Sequence, residues 1–292
     1  MPAEGEERVR DDLTVTQATA AEWDEIVAWT AGEGWNPGHG DAAHFLPSDP
    51  AGFFVGRLDG RVVSAVSVVV YSPEYAFLGY YLVHPGHRGT GLGLATWNAA
   101  LPHAEGRVIG LDGVPAQQAT YARAGFAPAY RNVRHTGRPR TAGAATDPAV
   151  LAVRPHHHRA IAAYDRGCFP AARADFVSRW LTDDGHTARV LLGADGGVRG
   201  YGVIRPAHQG HRVGPLFADT AEEAGVLFDA LVATLPPEAE VAIDIPDLYP
   251  AAAKLAADRG LTASSECLRM YSGTVPVSRV EAVYGTTSLE LG

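Results

Sequence analysis

The spacing of apolar residues in the first half of the chain predicts an alternation of strands and helices. Runs rich in valine and aromatic residues predict strands, whereas apolar residues recurring every three or four positions predict helices. The predicted strands span residues 13–18, 53–58, 61–71, 77–83, 108–112 and 129–134, and the predicted helices 21–30, 91–103 and 115–124. Asp59 and Gly60 are typical of a tight hairpin turn. Residues 32–50 are rich in turn formers and predict a long loop that contains Trp35 and Phe45.

The second half repeats this plan, so we predict an α/β (α+β) fold built from two tandem domains. Its predicted strands span residues 151–154, 188–192, 200–204, 212–218, 241–245 and 268–272, and its helices 159–165, 172–181, 221–235 and 248–259. Between Thr136 and Pro148 there is no apolar periodicity and breakers are frequent, which predicts a linker. The predicted division is a flexible tail at 1–12, a first domain at 13–136, a linker at 137–148 and a second domain at 149–292.

The composition limits the classes of protein to which this chain can belong. With 292 residues and 46% apolar content, the chain can bury the cores of two domains. The near-apolar run from Val62 to Val70 is far shorter than the roughly 20 residues of a membrane span, and the polar start from Met1 to Asp12 predicts no secretory signal. Cys168 and Cys267 form neither a Cys-x-x-Cys pair nor a disulfide framework, so we expect a cytoplasmic protein without membrane association.

The charge balance narrows the possible partners. The chain has 24 basic and 33 acidic residues, which gives a net charge of −9 with neutral histidines. A negative protein repels the phosphate backbone of nucleic acids, so we expect no nucleic-acid binding. The same charge agrees with a cationic amine as the substrate.

A glycine-rich turn follows the apolar strand that ends at Val83. Pro85 breaks the strand, and glycines at 89, 91 and 93 open the next helix. Glycines let the backbone approach a ligand closely, and the unpaired N–H groups at a helix start carry partial positive charge. The segment therefore predicts a phosphate-binding loop.

Two better-known nucleotide-binding loops do not match this segment. A nucleoside triphosphate loop requires Lys and then Ser or Thr after Gly91, where the chain has Leu92 and Gly93. A dinucleotide-binding loop, Gly-x-Gly-x-x-Gly/Ala, requires Gly or Ala three positions after its second Gly, and the residue three positions after Gly93 is Thr96.

The segment Arg88-Gly89-Thr90-Gly91-Leu92-Gly93 instead resembles the Arg/Gln-x-x-Gly-x-Gly motif of the GNAT acyltransferase family, whose members bind acetyl-CoA. Leu111-Asp112-Gly113 and the Tyr-x-x-x-Gly-Phe pattern from Tyr121 to Phe126 resemble the strand and helix end that follow in that family. The whole chain is similar to bacterial tandem acetyltransferases with a degenerate second domain. This resemblance implies, for each domain, a mixed and mostly antiparallel sheet flanked by helices.

The resemblance also implies how acetyl-CoA, the expected cosubstrate, would bind. The backbone of Leu82 and Val83 would hydrogen-bond the pantetheine arm and the thioester. The pyrophosphate would lie on the glycine loop, whose expected contact residues are Arg88, Gly89, Thr90, Gly91, Leu92 and Gly93. In the second half the corresponding turn reads Thr220-Ala221-Glu222-Glu223, and two glutamates would repel a pyrophosphate. We therefore expect one CoA site, in the first half.

Amine attack on a thioester needs a neutral amine, a polarised carbonyl and a protonated or stabilised leaving thiolate. Tyr121 occupies the position at which the family commonly carries a tyrosine near the CoA sulfur, so we expect it to be the general acid. The general base is not determined by the sequence. Glu74 and Asp112, at predicted strand ends, rank first. The other candidates are Glu33, Asp41, His84 and a chain of waters.

The loop around Trp35 occupies the position at which GNAT enzymes bind their acceptor. Trp35 offers an aromatic face, and Glu33 and Asp41 offer carboxylates, which together suit an ammonium group. Tyr80 is a further expected substrate-binding residue, because the pocket around Tyr80 and Tyr81 would decide between acetyl and longer acyl groups.

We expect no metal cofactor. His156, His157 and His158 are consecutive at a helix start, so their side chains point in different directions and cannot converge on one ion. The chain also lacks the His-Glu-x-x-His and Gly-x-Ser-x-Gly motifs of zinc and serine hydrolases.

Two functions are consistent with these observations. The favoured one is an acetyl-CoA-dependent N-acetyltransferase that acts on a primary amine, with a small molecule preferred over a protein lysine. The other is a non-catalytic acyl-CoA-binding sensor or regulatory module. Because a tandem chain can pair its two domains internally, we expect a monomer or a weak dimer.

Overall fold

The computed structural model describes residues 12–140 and 147–292. Almost all of the predicted tail and the middle of the predicted linker lie outside these residues. The strands of the first half are β1 (Thr14–Gln17), β2 (Phe53–Leu58), β3 (Arg61–Val70), β4 (Tyr75–Val83), β5 (Val108–Gly113) and β6 (Ala127–Gly137), and its α-helices are α1 (Ala20–Gly32), α2 (Asp41–Phe45), α3 (Leu92–Ala100) and α4 (Gln118–Arg123).

The second half has the same order of elements. Its strands are β7 (Val150–Ala152), β8 (Thr187–Leu192), β9 (Val198–Pro206), β10 (His211–Ala218), β11 (Val241–Pro246), β12 (Thr262–Tyr271) and β13 (Val283–Gly285). Its α-helices are α5 (His158–Cys168), α6 (Ala174–Thr182), α7 (Ala221–Val232) and α8 (Pro250–Asp258). The mixed α/β class and the repeated order agree with the sequence prediction.

Two elements were not predicted. Helix α2 lies inside the expected loop at 32–50; it has only five residues, and all but Ala43 are buried. Phe45, at its end, stacks on Trp180 of the second half at 5.8 Å between ring centroids. Strand β13 has three residues and pairs with the distant strand β10. Both elements are too short for periodicity to reveal, and long-range contacts hold them.

The strands of the described residues form one continuous sheet of thirteen strands. The order is β1-β2-β3-β4-β5-β12-β6-β11-β10-β9-β8-β7, with β13 against β10. The pairs β4–β5 and β10–β11 are parallel, and the other pairs are antiparallel. The sheet is therefore mixed and mostly antiparallel, as predicted.

The two halves exchange their strands at the centre of this sheet. Strand β12, from the second half, lies between β5 and β6. Strand β6, from the first half, pairs with β11 as well as with β12. Each half therefore completes its sheet with a strand of the other, which the sequence did not predict.

Apolar packing and buried ion pairs also join the halves. One core cluster contains Trp23, Phe45 and Tyr80 of the first half together with Phe176 and Trp180 of the second. Three buried Asp–Arg pairs connect the halves: Asp41–Arg205 at 2.8 Å, Asp112–Arg269 at 2.7 Å and Asp244–Arg134 at 2.7 Å.

Replacing one partner of a buried pair should leave the other charge uncompensated. We expect Asp41→Asn to lower the free energy of unfolding by about 3 kcal/mol, because Arg205 would stay buried without its counter-ion. Arg205 holds the pKa of Asp41 below its usual value against the opposing effect of burial. The difference in the free energy of unfolding between Asp41→Asn and wild type should therefore be complete above about pH 4 and should shrink as the pH falls further.

Urea unfolding measured at several pH values tests this expectation. Asp258→Asn is the control, because Asp258 forms an exposed pair with Lys254 and should change stability by less than about 1 kcal/mol. Equal losses in the two variants would contradict the assignment of Asp41 to a stabilising buried pair.

Candidate active site

Strands β4 and β5 separate part of the way along their length. Their parallel pairing extends only to Leu78 and Leu111, although β4 continues to Val83. On its other side β4 has a bulge, since Gly79 pairs with Ser67 and Leu82 with Ala65. Tyr80, within the bulge, has a left-handed φ of 48°. Bulges redirect side chains and end pairing near active sites, and here the separation leaves a gap beside Leu82 and Val83.

The glycine loop lies at the end of β4 and begins α3. Gly89 and Gly91 have φ values of 78° and 83°, which favour glycine, and no side chain caps the helix at Gly91. A Cβ at Gly93 would lie 2.7 Å from Val83 Cγ2, so glycine allows α3 to approach β4. The loop therefore presents a helix N-terminus to the gap, the arrangement that binds phosphate groups.

Polar side chains surround this loop. The Arg88 Nε group donates to the Val83 carbonyl oxygen at 3.1 Å, and its guanidinium forms an ion pair with Glu33. The Thr90 hydroxyl donates to the His87 carbonyl oxygen at 2.6 Å.

A cavity of about 220 Å³ lies in the gap between β4 and β5. Five residues from the sequence prediction line its first-half wall: Glu33, Trp35, Tyr80, Asp112 and Tyr121. Residues of the second half close the other wall: Ser265, Glu266, Cys267, Leu289 and Glu290. The cavity is therefore shared by the two halves.

Tyr121 is buried in the wall of this cavity. Its ring stacks on Trp97 at 5.7 Å between centroids and lies 6.4 Å from the ring of Tyr81. A Cβ at Gly113 would come within 2.8 Å of the Tyr121 ring, so glycine makes room for the tyrosine. Burial raises the pKa of Tyr121 well above its usual value, which keeps the hydroxyl protonated at neutral pH.

Three predicted site residues do not lie free in the cavity. Asp41 is outside it and is paired with Arg205. Glu74 is exposed in the turn before β4, where it accepts a 2.9 Å hydrogen bond from Ser72. His84, also exposed, accepts a hydrogen bond from the Gly86 amide.

Asp112 lines the cavity, but its carboxylate is already occupied. Arg269 donates to both oxygens at 2.8 and 2.7 Å, and Asn132 donates to one of them at 2.8 Å. Burial raises the pKa of Asp112, and the Arg269 contact opposes that shift. These contacts make Asp112 a structural carboxylate that joins β5 to β12.

Sequence analysis missed the contribution of residues 286–292. Glu290 and Leu289 line the cavity, and the Tyr71 hydroxyl donates to the Leu291 carbonyl oxygen at 2.9 Å. The Glu290 carbonyl oxygen occupies the space that a Cβ at Gly79 would need. The only signal in the sequence is an acidic residue between two leucines, which no local pattern connects with β4.

The corresponding gap in the second half is filled by the chain itself. The pairing of β10 with β11 extends to Val213 and Ile243, and β13 then pairs with β10 at Leu216 and Gly285. The following helix α7 is capped by Thr220 and carries Glu222 and Glu223 in its first turn. The second half thus has neither the open gap nor the uncapped helix start of the first.

One cluster of potential metal ligands lies where the halves meet, outside the cavity. Ligand-type atoms of His44, Asp183 and His186 lie within 4.8 Å of one another, and His44 Nε2 is 2.9 Å from Asp183 Oδ2. His186 Nδ1 lies 2.9 Å from the Trp180 carbonyl oxygen. The histidine run at 156–158 does not contribute to this cluster.

Comparisons with known proteins identify the family. The family described as "Acetyltransferase (GNAT) family" matches residues 20–126, and the one described as "Acetyltransferase (GNAT) domain" matches residues 161–285. A holothin acyltransferase from Pseudoalteromonas sp. (strain SANK 73390) is 32% identical over 279 residues, which cover 96% of this chain and 94% of that protein. The chain belongs to the GNAT acyltransferase family and is an enzyme with two GNAT domains in tandem.

Solved structures share the fold. A putative acetyltransferase from Pyrococcus horikoshii superposes with a TM-score of 0.79 at 20% identity, covering 96% of both chains. A tandem GNAT protein from the clavulanic acid biosynthesis pathway superposes with a TM-score of 0.66 at 16% identity, covering 90% of this chain and 100% of that one.

Within residues 12–140 and 147–292, no helix has the length and apolar character needed to cross a membrane.

The glycine loop can be tested by substitution. We expect Gly91→Glu to weaken acetyl-CoA binding at least about 10-fold, since a carboxylate would repel the pyrophosphate and the left-handed φ would be strained. Gly106→Glu is the matched control, because Gly106 has a similar φ of 79° but lies in a turn after α3. Calorimetric titration with acetyl-CoA measures both, and equal affinities would show that the loop does not bind the cofactor.

Proposed function

We propose that this enzyme transfers an acetyl group from acetyl-CoA to the primary amine of a small molecule. The observation that carries the proposal is the shared cavity, in which the gap between β4 and β5, the Tyr121 ring and residues of the second half meet. The holothin acyltransferase, similar over almost the whole chain, supports acyl transfer as the reaction.

Acetyl-CoA would lie along the gap. Its pyrophosphate would contact the glycine loop at 89–93 and the start of α3, where the backbone amides supply most of the attraction. Leu82 and Val83, beyond the last β4–β5 pair, would bind the pantetheine arm through their backbone groups. The thioester would then enter the cavity beside Tyr121.

The reaction exchanges one bond for another at the thioester carbon. The amine nitrogen attacks the carbonyl carbon, a C–N bond forms, and the C–S bond breaks to release CoA. Overall, the nitrogen loses one proton and the sulfur gains one. Tyr121, whose hydroxyl is protonated at neutral pH, would donate the proton that the departing thiolate takes up.

The placement of the two first-ranked bases favours deprotonation of the amine through solvent, and Glu33, in the cavity wall, is already paired with Arg88. Glu74 lies outside the cavity, and both oxygens of Asp112 are bound by Arg269. Neither carboxylate is therefore placed to accept a proton from the acceptor without losing its present contacts. Water at the open side of the cavity needs no such rearrangement.

The walls of the cavity favour a small acceptor over a protein lysine. Leu289 and Glu290 close one side, and Trp35 and Tyr80 line the other. A protein tail would need an open groove. The volume of this cavity, about 220 Å³, is instead smaller than that of a typical drug-sized pocket, which is roughly 300–1,000 Å³.

The acid role of Tyr121 can be tested by Tyr121→Phe, which removes only the hydroxyl. We expect kcat to fall about 100-fold with little change in the KM for acetyl-CoA. Tyr75→Phe is the matched control, because Tyr75 is also buried, its hydroxyl has no partner among the described residues, and it lies outside the cavity. Similar kcat values for Tyr121→Phe and wild type would remove Tyr121 from the mechanism.

Release of free CoA thiol in the presence of a panel of primary amines tests the reaction itself. Amine-dependent release supports the proposed transferase. If acetyl-CoA binds but no amine and no protein lysine is acetylated, the acyl-CoA sensor is the better description.

A further inference from the structure

Four carboxylates line the shared cavity, and their ion pairs differ. Asp112 is bound by Arg269 at 2.7 Å, Glu33 pairs with Arg88, and Glu266 lies 3.2 Å from Arg131. The fourth, Glu290, has only long contacts to an arginine. Glu290 is therefore the one of these four carboxylates whose contacts to an arginine are all 3.4 Å or longer.

Glu290 is buried, with 4% of its side chain exposed, yet its hydrogen bonding is incomplete. The Ser288 hydroxyl donates to Oε2 at 2.6 Å. The Arg212 Nη1 group is 3.4 Å from Oε1 and 3.5 Å from Oε2, whereas Arg212 Nη2 donates to Asp244 at 2.7 Å. Among the residues that the structure describes, Oε1 of Glu290 therefore has one contact, at 3.4 Å, and can accept a further hydrogen bond.

The neighbouring groups suit an amine. The Tyr80 hydroxyl is buried without a hydrogen-bond partner among the described residues, and the Glu290 carboxylate raises its pKa in addition to the larger effect of burial. Buried polar groups are normally hydrogen-bonded, so the incompletely bonded carboxylate of a residue that lines a cavity indicates a place for a ligand. Trp35, in the same wall, offers an aromatic face to the rest of the ligand.

We propose that Glu290 binds the amino group of the acceptor and thereby selects small primary amines with a flat apolar body. The inference rests on the proposed function of the cavity as the acceptor site. An amine N–H would donate to Glu290 Oε1, and a charge-assisted hydrogen bond in a buried site is stronger than one between neutral groups. The acceptor nitrogen would then lie beside Glu290, with the rest of the molecule against the wall that contains Trp35.

The fold explains how a residue of the second half reaches this site. Strand β13 fills the gap between β10 and β11, and the Thr286 amide donates to the Asp244 carbonyl oxygen at 2.8 Å. From there the chain crosses to β4, where Glu290 packs against Gly79. The same C-terminal segment of the second half thus does two things. It fills the gap between β10 and β11, and it carries the proposed acceptor carboxylate to the cavity beside β4.

Binding of benzylamine and benzyl alcohol, measured by calorimetry with saturating CoA, tests this assignment without requiring turnover. The two probes share a ring, but only benzylamine is cationic. We expect wild type to bind benzylamine at least about 10-fold more tightly than benzyl alcohol. Glu290→Gln should reduce this ratio to near one while CoA affinity stays unchanged.

Two further variants make the test specific. Glu281→Gln, an exposed site just before β13, should keep the wild-type ratio. Glu33→Gln removes the competing carboxylate at the cavity. The proposal is overturned if wild type shows no preference for benzylamine, if Glu290→Gln keeps the preference, or if only Glu33→Gln loses it.

The result is independent of whether the enzyme acetylates the probe. If benzylamine binds through Glu290 but no amine is ever acetylated, the proposed function fails and the binding site stands. If the circular dichroism spectrum shows that Glu290→Gln does not fold, Glu290→Asp supplies the test. Aspartate keeps the negative charge, but its side chain is one methylene shorter and holds the carboxylate farther from the ligand. A severalfold lower ratio supports the assignment, and an unchanged ratio contradicts it.

Discussion

Two ion pairs hold the exchanged strands at the centre of the sheet. Asp112 of β5 lies directly opposite Arg269 of β12, and Arg134 of β6 lies directly opposite Asp244 of β11. Arg134 and Arg212 keep the pKa of Asp244 well below its usual range although burial acts in the other direction. Opposite charges at facing positions fix the register of neighbouring strands, and buried charges tolerate no slip because each would lose the counter-ion that faces it. The cavity depends on this register, since β12 supplies Ser265, Glu266 and Cys267 to its wall.

The two halves use one fold for different purposes. In each, a parallel pair of strands separates after a few residues, and a bulge marks the place where the separation begins. In the first half the gap stays open and ends at an uncapped helix with a glycine turn. In the second half the gap holds β13, and the helix start is satisfied by Thr220. The second half therefore uses the same separation of strands to hold a strand of its own.

Local features of the sequence predicted much of this structure. The glycine loop could be predicted because positive φ values and a close helix approach require glycine at 89, 91 and 93. Trp35 and Tyr80 line the cavity, and their role in substrate binding stays a prediction. Asp41 does not, because its position is decided by Arg205, a residue 164 positions away along the chain. The pairing of β6 with β12 and the contact of Glu290 with β4 also join residues that are far apart in the sequence. Periodicity in the sequence does not specify which strand lies beside another.

The strand exchange has a consequence for the order in which the protein can be assembled during synthesis. Strand β5 has no neighbour on one side until β12 is available, and β12 ends at Tyr271. The first half therefore emerges from the ribosome with an open sheet edge, and its ligand cavity is incomplete until the second half is made. Because each half completes its sheet with a strand of the other, neither half can be separated from the chain with its sheet intact.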